Sequence, residues 1–336
     1  MGKAAVAMHG AARRELGALD RELVIAPRGI PGPTDWDFLV VGDHPVVSQA
    51  SLDAGAAALD FAAQARREGA AVWGLISGGS SALCESPGQG VTPEEVLKWS
   101  RTGLAAGLSI EVLNARRSQL SAVKAGRLGA AFGDSLAGVS VLVDIPSGRP
   151  EVVGSGPLAV PGLSLEVLAT PRTLAARFAE GVANEGLCPE TFAEGVDRSV
   201  ASWMDHAVKW LAGAAPGDVL VGGGEVTLKI PTDVIGRSGG RARHTALATA
   251  LALHHHYASS GMPWAVFAAA SDGRDGAGGA GALITSADLD ADRVAEASEA
   301  LRTYDSGTFC GRYGLALAEH PPATNLCDVY AVARIG

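Results

Sequence analysis

Five stretches of this chain set apolar residues against clusters of glycine and small polar groups. They are LISGGSSAL (75–83), LVDIPSGRPEVVGSGP (142–157), LVGGGEVTLKI (220–230), GRSGGRARH (236–244) and AAASDGRDGAGGAGA (268–282). Glycine takes positive φ at little cost and lets the main chain come close to a ligand, so strands that end this way build turns a side chain would block. The 44 glycines among 336 residues follow no fixed period, which excludes a collagen-like repeat. They are embedded in a chain that is 47% hydrophobic, which leaves ample material for a core.

Between these clusters short apolar runs alternate with helical patterns. Strands are predicted over 37–42, 71–76, 139–144, 218–221, 226–230, 264–269 and 328–333. Helices are predicted near 51–67, 92–107, 115–132, 172–184, 196–213, 241–257, 290–302 and 307–318. Ser51 precedes one helix, and Thr92-Pro93-Glu94-Glu95 gives another a cap, a first-turn proline and acidic residues at its N-terminus. The alternation predicts an α/β protein in which each domain is a mainly parallel or mixed sheet flanked by helices. The length suggests two domains, and the proline-rich PLAVPGLSLEVLATP places the change between 157 and 200. The expected division is 1–195 and 196–336.

A net charge of −9 argues against nucleic acid as a partner. Cys84, Cys188, Cys310 and Cys327 are too dispersed for a zinc site or a disulfide framework. The uncharged run from Thr245 to Ser271 contains His254, His255 and His256, which are costly in lipid, so no membrane span is expected. Three consecutive helical residues point about 100° apart and do not converge on one ion. With no signal-like N-terminus, a soluble cytoplasmic protein is expected.

Each glycine cluster has a chemical reading and a plain one. Ser77, Gly78, Gly79 and Ser80 after a strand suit a phosphate or carboxylate held by backbone N–H groups, or simply form a tight turn. Neither a Walker A loop nor a dinucleotide fingerprint is present. Gly239-Gly240-Arg241, with Arg237 and Arg243, opens a helical pattern as an anion site or as a solvated basic loop. Asp272 and Asp275 suit Mg²⁺ or form an Asp-Gly turn, and Asp144 and Glu225 are further carboxylates. Lys3, in the opening MGKAAVAMHG, suits a transferring phosphoryl group, although chain termini fray.

In order along the chain, these stretches resemble the glycerate 2-kinases that carry a MOFRL-type C-terminal domain. Gly2-Lys3-Ala4-Ala5 with Met8, His44-Pro45-Val46, Ser77 to Leu83, Asn114 to Leu128, Asp144-Ile145-Pro146 and Ser155-Gly156-Pro157 follow the family's N-terminal motifs. Gly223-Gly224-Glu225, Gly239-Gly240-Arg241, Ser271 to Gly276, and Thr324-Asn325 with Asp328 follow its C-terminal ones. The resemblance covers nearly the whole chain. It implies a Rossmann-like N-terminal domain, a smaller MOFRL-like α/β C-terminal domain, and a site in the cleft between them. The implied activity is ATP-dependent, Mg²⁺-assisted phosphoryl transfer to the 2-hydroxyl of a small anionic hydroxy acid such as D-glycerate. Lys3, Arg241 and Asp272 take the catalytic roles in that reading. Ser77, Gly78, Gly79, Ser80, Gly224, Glu225, Gly240 and Asn325 bind the nucleotide, and Asp144 and Asp275 hold the metal. Homodimers are one open state of assembly.

The departures from the family pattern cluster. Its Gly-Gly-Arg-Asn-Gln-Glu reads Gly-Gly-Arg followed here by Ala242, Arg243 and His244. Its Val-Arg-Lys-His becomes Ala115, Arg116, Arg117 and Ser118, an Asp falls on Gly148, an acidic residue is missing within 277–281, and an Asn is Tyr304. These changes leave room for a larger sugar acid or a phosphorylated metabolite in a more basic pocket, or for a non-catalytic relative. The resemblance implies a strand ahead of the Gly-Lys, and this sequence begins after it: either the start lies upstream, or the protein does without that strand.

Overall fold

The computed structural model describes residues 1–29, 38–105, 110–145, 148–192, 196, 199–228, 238–320 and 324–336. The chain divides into two compact units. One comprises Met1–Asp144 and Gly148–Leu168, the other Ile145–Ser147 and Ala169–Gly336.

The first unit starts with α1 (Ala5–Leu16), followed by β1 (Val24–Pro27) and β2 (Leu39–Gly42), which pair in parallel. Helix α2 (Gln49–Glu68) begins at a reciprocal Ser48–Ser51 cap and stops at Gly69, which takes φ 65°. Its buried stripe, Leu52, Gly55, Ala58, Ala62 and Ala65, has the three-to-four-residue spacing of one helix face. Next come β3 (Val72–Ile76), α3 (Ser80–Leu83), α4 (Pro93–Ala105), α5 (Ile110–Leu120), α6 (Arg127–Phe132), β4 (Leu136–Leu142) and β5 (Leu165–Ala169). The second sheet of this unit has the order β3-β4-β5, with β3 and β4 parallel.

The single helix expected over 115–132 is two. Ala125 and Gly126 take φ 52° and 77°, which no helix accommodates, and a Cβ on Gly126 would press on the Ala159 carbonyl at 2.5 Å. The broken segment carries Lys124, whose ammonium is buried against the Glu85 carboxylate, with the Ser121 hydroxyl joining the same carboxylate.

The second unit contains α7 (Pro171–Asn184), β6 (Cys188–Thr191), α8 (Val200–Gly213), β7 (Asp218–Gly224), α9 (Arg241–Tyr257), β8 (Trp264–Ala270) and β9 (Gly281–Thr285). It ends with α10 (Ala291–Arg302), α11 (Ser306–Arg312), β10 (Ala316–Leu317) and β11 (Asp328–Arg334). The sheet order is β10-β9-β8-β11-β7-β6. This sheet is mixed, one of the two forms expected: β6 and β7 pair in parallel, and the other neighbours are antiparallel. The glycine-rich 271–280 joins β8 to β9 directly, and a connection without a crossover helix returns the chain antiparallel.

Trp203, Leu211, Leu220, Leu247, Leu253, Trp264, Ile284 and Tyr330 form the centre of this unit's core. Each large apolar side chain buried there contributes about 1.5–3 kcal/mol. The helix expected over 307–318 stops at Arg312, because Gly314 turns at φ 68° and the chain enters β10. Of the strand expected over 226–230, Thr227 makes only an isolated bridge to Ser199, and 229–230 lie outside the described residues.

Candidate functional site

In the first unit, main-chain bonds determine where Lys3 stands. Met1 N donates to the Leu75 carbonyl at 2.6 Å, and Ser77 N donates to the Met1 carbonyl at 3.0 Å. Gly2 N donates to the Ile25 carbonyl at 3.0 Å, and Lys3 N donates to the Gly78 carbonyl at 2.9 Å. Residues 1–3 therefore run between β1 and β3, tied to both. Gly2 has φ 125°, and any side chain on it would overlap Ser77, so this contact requires glycine. The Ser77 hydroxyl accepts from Ala4 N at 3.1 Å and so satisfies a donor at the start of α1.

The 77–81 turn is packed from several sides. Gly79 has φ 83°. A Cβ built on it would lie 3.0 Å from Lys3 Cγ and 3.3 Å from His44 Cδ2. The buried Ser80 hydroxyl has no hydrogen-bond partner among the described residues, and it lies where a side chain on Gly154 would be. Ser81 Oγ and Ser155 Oγ are 3.0 Å apart, and Ser155 is a non-glycine residue at φ 65°. Strained backbone of this kind gathers at sites of function. Lys3, Ser77, Gly78, Gly79 and Ser80 are thus together, joined by His44 and Ser155. The sequence reading quoted those two residues only within motifs and gave them no role. Asp144 lies two residues beyond the end of β4 and is half-buried. Pro146 is outside the described residues.

In the second unit the register of the sheet assembles the site. Asp328, the first residue of β11, pairs with Gly224 at the end of β7 and with Ala270 at the end of β8. The residues following β7 and β8 and those preceding β11 therefore meet at one end of the sheet. Gly224, Glu225, Asp272, Asp275 and Asn325 lie there, and α9 starts there with Gly240 and Arg241. Arg241 Nε donates to Asp328 at 2.8 Å, and Nη1 donates to Glu225. Tyr330 OH donates to the same Asp328 oxygen at 2.7 Å and accepts from Val226 N.

Burial acts to lower the Arg241 pKa, but Asp328 and Glu225 outweigh it and the net shift is upward, so the guanidinium is permanently charged. Burial raises the Asp328 carboxyl above its ordinary range, with Arg241 and Tyr330 opposing that shift. Sequence reasoning quoted Asp328 only within a motif and gave no role to Tyr330. Cys327, at φ 65°, places Sγ 3.9 Å from Glu225 and adds a second strained residue beside a candidate site.

The helix N-terminus expected to bind an anion already holds one. Asp275 is buried, and its carboxylate accepts from Ala242 N and Arg243 N, both at 2.8 Å, and from Arg243 Nε at 3.2 Å. Arg243 is also buried and donates to the carbonyls of Asp275, Ala277 and Gly278. Its charge is spent on pinning the glycine loop, and burial pushes the His244 imidazole down to about 4. The more basic pocket expected from Arg243 and His244 is therefore not formed; Arg237 lies outside the described residues. Asp272 closes an Asx turn on Arg274 N at 3.2 Å. Among the described residues no three His, Cys, Asp or Glu side chains come together as a metal ligand set. Asp275, expected to hold magnesium, is committed instead to the start of α9 and to Arg243. No helix among the described residues is long and apolar enough to cross a membrane.

Residues 1–173 match the family described as a domain of unknown function, DUF4147, and residues 218–328 match the MOFRL family. The chain is 33% identical over 159 residues to a D-glycerate 2-kinase of Thermotoga maritima, a match spanning 47% of this chain and 38% of that protein. It is 27% identical to a putative hydroxypyruvate reductase of Agrobacterium vitis, across 98% of this chain and 97% of that one. The crystal structure of glycerate kinase from Thermotoga maritima shares the fold, with a TM-score of 0.82 at 24% identity over 99% of this chain and 90% of its own.

Proposed function

From the premise that the chain belongs to the DUF4147–MOFRL family, that of the glycerate 2-kinases, we propose that it transfers a phosphoryl group from ATP to the 2-hydroxyl of a small hydroxy acid such as D-glycerate. The observation that carries this reading is Lys3. A lysine whose main chain is locked to a glycine turn, with its stem against Gly79, is a positioned charge rather than a frayed one. Phosphoryl transfer asks for little else from a protein than position and charge neutralisation.

Lys3 neutralises charge developing on the transferring group, and the backbone N–H groups of residues 78–81 hold the anion it faces. The buried Ser80 hydroxyl, unpartnered among the described residues, fits a turn of that kind. In the second unit Arg241, fixed by Glu225 and Asp328, is a permanent cation held at the start of α9. Asp275 caps α9 and sets the helix that carries Arg241. No step is assigned to a protein-held metal, because Asp275 is committed to the start of α9.

The test is turnover of D-glycerate with ATP in magnesium buffer, followed by product identification. 2-Phosphoglycerate is expected. Lys3→Ala should lower kcat by about 100-fold or more while the melting temperature stays within 2–3 °C, roughly the scale of a surface change. A normal rate in that variant would remove Lys3 from the mechanism. Absence of any product in the wild type would remove the kinase reading itself.

A further inference from the structure

His44 belongs to the connection between β2 and α2. Even so, it reaches the same point as Lys3 and Gly79, which come from two other segments. Its Cδ2 and Nε2 would lie 3.3 and 3.6 Å from a Cβ on Gly79, the position that Lys3 Cγ approaches at 3.0 Å. The imidazole is exposed and so accessible to a ligand. His44 also stands at the head of an open groove of about 560 Å³, within the range of small-molecule sites. Val46, Val47 and Leu97 give the groove apolar lining, and Gln49 and Arg101 give it donors. Arg101, on α4, is exposed and donates its Nε to the Leu97 carbonyl at 3.2 Å.

Among the described residues, charged side chains near His44 include Lys3, whose stem shares the contact at Gly79, and Asp43 and Arg101, which line the same groove. Asp43 is engaged by the Ser48 hydroxyl at 2.6 Å and by Arg28 Nε at 3.3 Å.

We propose that this groove is the acceptor subsite, in which Arg101 binds the carboxylate of a hydroxy acid and His44 hydrogen-bonds its reactive hydroxyl beside Lys3. The proposal rests on the kinase reading for the fate of that hydroxyl but not for binding itself. It frees Lys3 from the carboxylate and leaves it for the transferring phosphoryl group. A cavity of this size also admits acids longer than glycerate, so the subsite fits a class from three-carbon to six-carbon hydroxy acids with one terminal carboxylate.

Binding of D-glycerate and D-gluconate, measured by calorimetry without nucleotide, tests the subsite separately from catalysis. In the wild type at least one acid should bind. Arg101→Ala should weaken it at least 10-fold, His44→Ala should raise the acid KM by a similar factor, and His44→Gln should recover part of that loss. Both residues are exposed, so the variants should keep the wild-type melting temperature. Unchanged acid affinity and KM in Arg101→Ala and His44→Ala would overturn the proposal. Affinity that falls as expected in a protein with no ATP-dependent product would retain the subsite and reject the kinase. Failure of the wild type either to bind or to phosphorylate both acids would reject both.

Discussion

The His244 ring lies flat on the Tyr304 ring, with centroids 5.2 Å apart and planes 16° from parallel. Both positions depart from the family's sequence pattern, and the fold brings the two departures into contact. Tyr304 is held at φ 55°, an uncommon backbone for an aromatic residue, and His244 Nδ1 is buried without a hydrogen-bond partner among the described residues. A neutral imidazole suits that environment and a charged one does not.

Acid should therefore destabilise the second unit through His244. Free histidine takes up its proton near pH 6.5, while this one resists until about 4. The unfolded chain gains the proton first as pH falls. Stability is complete above about 6.5 and is lost progressively down to about 4, by on the order of 3 kcal/mol. Urea unfolding across that window should show the decline in the wild type and a shallower one in His244→Gln. Equal slopes would place the acid sensitivity elsewhere.

Lys124 and Glu85, 1% and 2% exposed, form an ion pair that neither partner can leave alone. Burial lowers the Lys124 pKa, and Glu85 opposes that shift. Lys124→Met should cost roughly 3–5 kcal/mol by stranding the carboxylate, and Lys124→Met with Glu85→Leu should recover much of it. Unfolding free energies of the two variants decide the matter; a double variant no better than the single one would contradict it.

A side chain on Gly154 would fall on the Ser80 hydroxyl. At φ 58°, Gly154→Ala adds both backbone strain and an overlap with the Ser80 hydroxyl, at an expected cost of about 1–3 kcal/mol. Adding Ser80→Ala should relieve the overlap and leave the strain. Thermal melts of the single and double variants separate the two contributions, and a silent Gly154→Ala would show that the 153–156 segment gives way.

Tyr330→Phe removes one hydroxyl that serves both Asp328 and Val226 N. It should cost about 1–3 kcal/mol. Under the kinase reading it should also lower kcat more than it raises the nucleotide KM, because Arg241 loses its fixed support. Full activity in a destabilised variant would leave Tyr330 with a structural role only.

Much of this arrangement was legible in the residue order. The glycine clusters marked the ends of β3, β7 and β8, and those ends carry the candidate sites. Antiparallel pairing in the second unit was not legible, because apolar runs read alike whichever way a neighbour points. β1 and β6 escaped notice because VIAP and CPET are short and contain proline. Asp275 illustrates a different limit. Sequence gave it as a carboxylate in a glycine loop, and only the fold shows that α9 claims it. His44 sits 35 residues ahead of Gly79 by numbering, and no periodicity relates the two.

The placement of Lys3 by main-chain bonds alone has an evolutionary corollary. Leu75, Ser77, Ile25 and Gly78 hold residues 1–3 through main-chain groups, which do not depend on the side chains. Substitutions in β1 and β3 that keep the strand backbone in place therefore leave the lysine where it is, provided Gly2 stays a glycine. Relatives with little identity in these strands should still present this charge at the same place.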